Sequence, residues 1–367
     1  MRGIAILLVI AHNQGSAFPS LHLDRLFANG WMGVDLFFVL SGFLITGILV
    51  DTRQSPHYFR NFYIRRCLRI WPLYYSLLVF MFVLVPWLRP SEAHTVFDKS
   101  SPWWAYPLFL QNFLVRNPTG AAGLLAVTWS LAIEEQFYLV WPWVVRYTSL
   151  AVVRRLAIVV VCISPLLRLY LSHHDVNLYT NVFSRLDGLM AGALLAMAVR
   201  SEGFLPSTFV RRAWIALAVA AFFACALEAV NARWIVYSLS AAASAAFVYL
   251  AMFSRRPWFR AVMTNRFLVY TGIISYGLYL LHKIPFDLLK TPRLQQPPLW
   301  MLPVGLAACF VLAALSWNLL ERPFLNLVKH RVDRIATSLR SGRDFVREAT
   351  LGAALVVPSD GEIVRDS

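Results

Sequence analysis

The feature that most constrains this chain is the recurrence of apolar runs about 20 residues long, the length an α-helix needs to cross a bilayer core. Ten such runs follow one another, at 3–20, 32–50, 70–88, 129–149, 155–172, 185–200, 213–230, 234–253, 267–289 and 299–320. Hydrocarbon offers no partners to backbone N–H and C=O groups, so segments of this kind must satisfy them internally as helices. The expectation is therefore an all-α, polytopic transmembrane bundle of about ten spans, at 1–324, followed by a basic, partly disordered tail at 325–367. The first run is the shortest, since its unbroken apolar part ends at Ala11. Composition agrees: of 367 residues 59% are hydrophobic and 14% charged, with 13 Trp. Cys67, Cys162, Cys225 and Cys309 are far apart and in or beside apolar runs, so neither a disulfide framework nor a metal site is expected.

The net charge of +15 is a matter of topology rather than of a nucleic-acid partner. The even-numbered connections between runs hold fifteen Lys and Arg, among them Arg53, Arg60, Arg65, Arg66 and Arg69, against seven in the odd-numbered ones. Cationic loops stay on the cytoplasmic side, which puts both termini there. The segment from Arg322 onward adds eight more basic residues, which anionic lipid would also attract.

Within these apolar runs a few ionisable residues stand out, because an acid at the centre of a membrane helix costs on the order of 3 kcal/mol and so pairs, faces a wet interior or does chemistry. WSLAIEEQFYLVWPW (129–143) carries Glu134 and Glu135. As a helix it sets Ser130, Glu134, Tyr138 and Trp141 on one stripe, with Glu135 about 100° away, so Glu134 is the acid expected to face the bundle centre. An interfacial carboxylate without function is the plain alternative. In the first run His12 follows Arg2 by ten residues, about 15 Å of helix, which puts an imidazole near mid-bilayer if Arg2 marks the cytoplasmic edge. A histidine there can take and return a proton at neutral pH, or simply end a helix beside Asn13 and Gln14. Arg66 and Arg69 lie one turn apart at the cytoplasmic mouth of the third run. They read equally as a fork for phosphate oxygens and as membrane anchors. Asp35 reads as a network member or an interfacial acid, and Gly33, Gly42 and Gly47 as helix-packing positions. Arg185 and Asp187 are two apart and so on different faces, with Gly188 and Gly192 at GxxxG spacing. Ser275, Tyr279 and His282 share a face in the ninth run, where Lys283 reads as a snorkelling cation. The loop before Thr128, rich in aromatics and Pro, is expected to lie in the interface as an aromatic belt.

Taken together, RGIAILLVIAH (2–12), GVDLFFVLSGFLI (33–45), FYIRRCLRIWPLYY (62–75), TWSLAIEEQFYLVWP (128–142), RLDGLMAGALLA (185–196), ISYGLYLLH (274–282) and ERPF (321–324) resemble, in order, the motifs of the acyltransferase 3 family of integral membrane acyltransferases. The resemblance implies transfer of an acyl group, typically acetyl, from cytoplasmic acyl-CoA to a hydroxyl of a cell-envelope or exported carbohydrate or lipid-linked sugar at the far face of the cell (inner) membrane. It places the family's first-helix pair on Arg2 and His12, its acyl-CoA-side RxxR on Arg66 and Arg69, its SLxxExxFY on Ser130, Leu131, Glu134, Phe137 and Tyr138, and its late histidine on His282. Acyl-CoA is then a co-substrate and the partners are the bilayer and a carbohydrate or glycolipid acceptor. Two departures stand out: Met1 directly precedes Arg2, where family members have a short lead, and the short tail implies no fused extracytoplasmic hydrolase-like domain.

The expected machinery is His12 as general base, ranked above an acyl-histidine, with Glu134 orienting the imidazole or helping to bind the acceptor. Arg66 and Arg69 hold the CoA phosphates, and Arg2, Asp35, Ser130, Arg185, Tyr279 and His282 form a supporting polar path. The competing expectation is a proton-coupled transporter or exporter of a sugar or lipid that uses the same groups as a relay.

Overall fold

A computed structural model describes residues 1–15, 18, 22, 27–88, 90–92, 96–97, 102–114, 120–174, 177–201, 206–228, 232–289 and 298–327. The loop cations Arg25, Arg89, Lys99, Arg116, Lys290 and Arg293, and nearly all of the basic tail, lie outside the described residues. Each of the ten apolar runs is helical over most of its described part: α1 (Arg2–Gly15), α2 (Met32–Asp51), α3 (Tyr58–Val79), α4 (Trp129–Tyr147), α5 (Leu150–Leu171), α6 (Leu186–Val199), α7 (Pro206–Glu228), α8 (Arg233–Phe253), the short α9 (Pro257–Met263), then α10 (Arg266–Ile273), α11 (Ser275–Leu281) and α12 (Lys283–Leu289), and α13 (Met301–Ser316). No strand occurs among the described residues.

Six of these helical stretches are long and apolar enough to cross a membrane, and a seventh span is formed if α10 and the α11–α12 stretch, bent by 64° at Ile274, count as one. The other three are marginal for reasons the sequence contains: α1 and α6 have 14 residues each, and α4 carries two acids in its middle. The outside of the bundle is as apolar as its inside. On α5 Leu166 and Tyr170 are 62% and 63% exposed, and on α7 Phe222 is 68% exposed. Such faces are stable only against lipid, which makes the chain a multi-pass membrane protein.

At the centre runs α2, 67% buried over its most apolar window, against α1, α4, α6 and α8. Its crossing with α6 is very close. A Cβ on Gly42 would fall inside the Leu189 carbonyl, and one on Gly192 inside the Val39 carbonyl, so glycine on both helices is what lets the backbones touch. One end of the crossing is clamped by a forked pair, Arg200 Nε and Nη2 donating to the two oxygens of Asp51 at 2.7 and 2.8 Å. Gly42→Val or Gly192→Val is expected to destabilise the protein by about 1–3 kcal/mol, the usual cost of overpacking. A thermal unfolding midpoint in detergent equal to that of the unchanged protein would refute this account of the crossing.

The aromatic loop before α4 is only partly an interfacial belt. Trp103 and Trp104 are about half exposed, but Tyr106, Phe109 and Gln111 are buried in the bundle. Tyr74 and Tyr75 of α3 donate to the Tyr106 and Pro107 carbonyls at 2.8 and 3.0 Å, and Gln136 of α4 donates to the Phe109 carbonyl at 2.7 Å. Phe109 sits at φ 54°, a conformation that surrounding contacts must enforce on a non-glycine residue. The loop thereby becomes a wall of the polar interior.

Candidate active site

The bundle holds two polar cavities stacked along the helices. The first, about 90 Å³, is lined by Arg2 of α1, Ser41 of α2, Arg66 and Arg69 of α3, Glu134 and Tyr138 of α4, and Ser275 of α11. Three guanidiniums converge here from two helices, because positions 66 and 69 lie one turn apart on α3 and the N-terminal turn of α1 packs beside them. Glu134 is held from both sides, accepting from Ser41 Oγ at 2.7 Å and from Tyr138 Oη at 3.0 Å. Among the described residues no carboxylate reaches ion-pair distance of Arg2, Arg66 or Arg69. Arg66 instead lies over the Tyr138 ring, 5.6 Å from its centroid. A cavity with this surplus of positive charge, partly removed from water, is built for an anion of several oxygens.

The second cavity, about 260 Å³, is lined by His12 and Asn13 of α1, Tyr106 and Gln111 of the buried loop, Trp129 at the start of α4, Asn177, Tyr179 and Thr180 of the segment before α6, and Lys283 of α12. His12 Nδ1 donates to the Phe27 carbonyl at 3.2 Å. A carbonyl can only accept, so in the neutral ring Nδ1 carries the proton and Nε2 presents a lone pair. Amide side chains, a hydroxyl and flat aromatic rings around a basic nitrogen suit a hydroxyl-rich ligand better than an apolar one. Val34 and Tyr279 line both cavities and form the layer between them.

The structure brings together part of what the sequence suggested. Arg2, Arg66, Arg69, Ser130, Glu134 and Tyr279 share the first cavity, and Glu135, round the helix from Glu134, is not among its lining. His12 and Glu134, however, line different cavities and each has its own partners, so Glu134 does not orient the imidazole; the Phe27 carbonyl does. His282 lines neither cavity. The helix ends at Leu281, and the fully buried ring turns back so that Nδ1 donates to the carbonyls of Tyr279 (2.8 Å) and Leu278 (3.2 Å), capping the last turn of α11. The ring still lies beside Tyr279, 6.3 Å between centroids, but its Nδ1 is turned to the carbonyls of its own helix.

Asp35 and Arg185 form no part of a path either. They pair with one another at 2.5 Å, completely buried, with Arg185 4.0 Å from the Tyr237 centroid and within 6.0 Å of the Trp31, Phe38, Trp129 and Tyr179 rings. Asp187, on the other face of α6, pairs with Arg168 of α5 at 2.9 Å and accepts from Ser238 of α8 at 2.6 Å. Arg168 also donates to the Ser184 and Trp234 carbonyls at 2.5 and 2.8 Å. These two pairs tie α2, α5, α6 and α8 behind the aromatic wall of the histidine cavity. Arg168 was legible as a charge inside an apolar run, which needs a partner. Gln111, Asn177 and Thr180 lie in connecting segments whose polarity is ordinary in a sequence, and nothing short of the fold marks them.

An all-helical membrane bundle with three guanidiniums and a carboxylate lining one cavity and a histidine lining the next has the groups that group transfer calls for. The chain belongs to the acyltransferase family: the family model described as an acyltransferase domain matches residues 1–318. It is 28% identical to the peptidoglycan O-acetyltransferase OatA of Listeria monocytogenes over 91% of this chain and 57% of that protein. It is 30% identical over 88% of its own length to the Bacillus subtilis protein named "Putative peptidoglycan O-acetyltransferase YrhL", covering 54% of it. The chain thus spans about half the length of the curated relatives it matches. No solved structure matches it.

Proposed function

We propose that this protein transfers an acyl group, acetyl in the first instance, from acyl-CoA on the cytoplasmic side of the cell membrane to a carbohydrate hydroxyl on the far side. The names of its relatives make a peptidoglycan sugar the acceptor to try first. The observation that carries the reading is the stacking of the two cavities: guanidiniums in one, His12 in the other, and a layer led by a single tyrosine side chain between them. With ten spans and the cationic loops cytoplasmic, both termini are inside and the arginine cavity opens toward the cytoplasm. Arg2, Arg66 and Arg69 hold the CoA phosphates through forked, charge-assisted hydrogen bonds, and Glu134 balances part of their charge. The acceptor hydroxyl sits against His12, whose Nε2 takes its proton. The alkoxide oxygen forms a bond to the thioester carbonyl carbon, the C–S bond breaks, and the proton passes from His12 to the departing CoA sulfur. His12 stands on the acceptor side of the partition, away from the donor's arginines, which favours its action as a base over attack on the thioester.

The test is acetyl incorporation from radiolabelled acetyl-CoA into membrane glycans and lipids. Replacing Arg66 and Arg69 together by alanine is expected to raise the acyl-CoA KM by about 10²-fold, from the loss of hydrogen bonds to charged groups, with little change in the KM for the acceptor. A protein that only carried its cargo across the bilayer would label nothing, and that outcome would move the reading to a transporter.

A further inference from the structure

Tyr279 and Val34 line both cavities, and the chemistry at the tyrosine is specific. Tyr279 Oη donates to the Val127 carbonyl at 2.8 Å, and Ser130 Oγ lies 2.6 Å from the same phenol oxygen. A phenol has one proton, which goes to the carbonyl, so the serine hydroxyl donates to the phenol oxygen. The ring is held independently, edge to face with Phe37 at 6.1 Å between centroids. Val34 is the other residue that lines both cavities. The donor's arginines and Glu134 lie on one side of Tyr279 and His12 on the other. The reacting atoms therefore have to meet at this side chain.

We infer that the Tyr279–Ser130 bridge is the specificity-determining element that makes the site choose the acceptor hydroxyl over water. The inference rests on the transferase reading above. Water in the roomy, polar histidine cavity meets the same base as the sugar does. If it reached the thioester it would lose a proton to His12 Nε2, form a C–O bond at the carbonyl carbon and release CoA thiol and free acetate, wasting the donor. While the phenol is bridged to the Val127 carbonyl and the Ser130 hydroxyl, the carbonyl carbon is covered from that side. An acceptor bound in the histidine cavity offers its own hydroxyls to the Tyr279 and Ser130 groups in exchange, so the layer opens when the acceptor, rather than water alone, is in place. Such a partition works only because each bond is weak enough to be exchanged.

The experiment uses the full-length chain in detergent, with acetyl-CoA and soluble peptidoglycan glycan strands as donor and acceptor. Free acetate and glycan-bound acetyl are measured together. Tyr279→Phe keeps the ring and its Phe37 contact but loses both bonds, and Ser130→Ala loses one hydroxyl and no packing. Ser130→Ala is expected to raise the ratio of acetate released to acetyl transferred by about fivefold, the population shift that the loss of one neutral hydrogen bond produces, and Tyr279→Phe, which loses two, by more than that. A merely structural role would lower both products in step and leave the ratio where it was. An unchanged ratio in both variants, with transfer still running, would overturn the inference and leave the transferase reading standing. If Tyr279→Phe does not fold, the ratio in Ser130→Ala decides alone. If the unchanged protein releases no CoA with this donor and acceptor while glycan and lipid labelling in membranes is also absent, the inference and the transferase reading fall together.

Discussion

His12→Ala is expected to lower acyl transfer by about 10²- to 10⁴-fold, the range a positioned general base contributes, while leaving expression, thermal stability and acyl-CoA binding close to those of the unchanged protein. The expectation follows from where the ring sits. His12 lines the histidine cavity only partly buried, with one nitrogen committed to the Phe27 carbonyl. That hydrogen bond ties the ring to the chain just before α2 rather than to the core, so the fold loses little with it. Glu134→Gln should behave differently. It leaves a group that can still accept from Ser41 and Tyr138 but removes the carboxylate that, among the described residues, lines the cavity with the three guanidiniums, so its effect should fall on donor binding rather than on proton transfer. Steady-state rates with varied acetyl-CoA and varied acceptor separate the two. Full transfer by an expressed His12→Ala protein would end the assignment of His12 as base.

Breaking the Asp35–Arg185 pair is expected to be the most damaging single change to stability, about 3–5 kcal/mol for removal of one partner. Both side chains are essentially inaccessible, so Arg185→Ala leaves a carboxylate, and Asp35→Ala a guanidinium, without water and without its ion-pair partner. Arg185→Lys should not rescue, because an ammonium is a compact, strongly hydrated point charge, whereas the flat guanidinium fits the five-ring cage around it. Replacing both Asp35 and Arg185 by apolar residues should cost less than either single change. Thermal unfolding in detergent reads the whole cycle. Single variants as stable as the parent would show that the pair carries no such weight. Because Trp129 and Tyr179 serve both the cage and the histidine cavity, surviving variants should also lose more affinity for the acceptor than for the donor.

The helices were legible because hydrophobic length is a local property. A bilayer demands about 20 apolar residues whatever their neighbours, and each of the ten runs is helical over most of its described length. The arginine pair was legible for the same kind of reason, since residues 66 and 69 share a helix face in any packing. So was the orientation of Glu134 relative to Glu135, which depends only on about 3.6 residues per turn. Juxtapositions between helices were legible only in part: Arg2 does join Arg66 and Arg69, and Ser130 does join Tyr279, but other expected meetings do not occur. Periodicity puts His282 beside Tyr279, and the two rings do lie 6.3 Å apart, but the imidazole caps its own helix and lines neither cavity. Sequence order makes Asp35 and Arg185 stations on a path, whereas packing makes them each other's partner. The expected cooperation of His12 with Glu134 is likewise replaced by a tyrosine standing between their cavities.

The sequence alone thus determined that the chain is a helical membrane bundle, which residues are too polar to lie idle inside it, and which family it resembles. Burial energies and helical repeat act within one segment, so they can be read without coordinates. Only the tertiary structure decided which polar groups satisfy one another and which stay open to a ligand. Pairing of that kind depends on distances between residues as far apart as 41 and 134, or 130 and 279, and no local rule sets those.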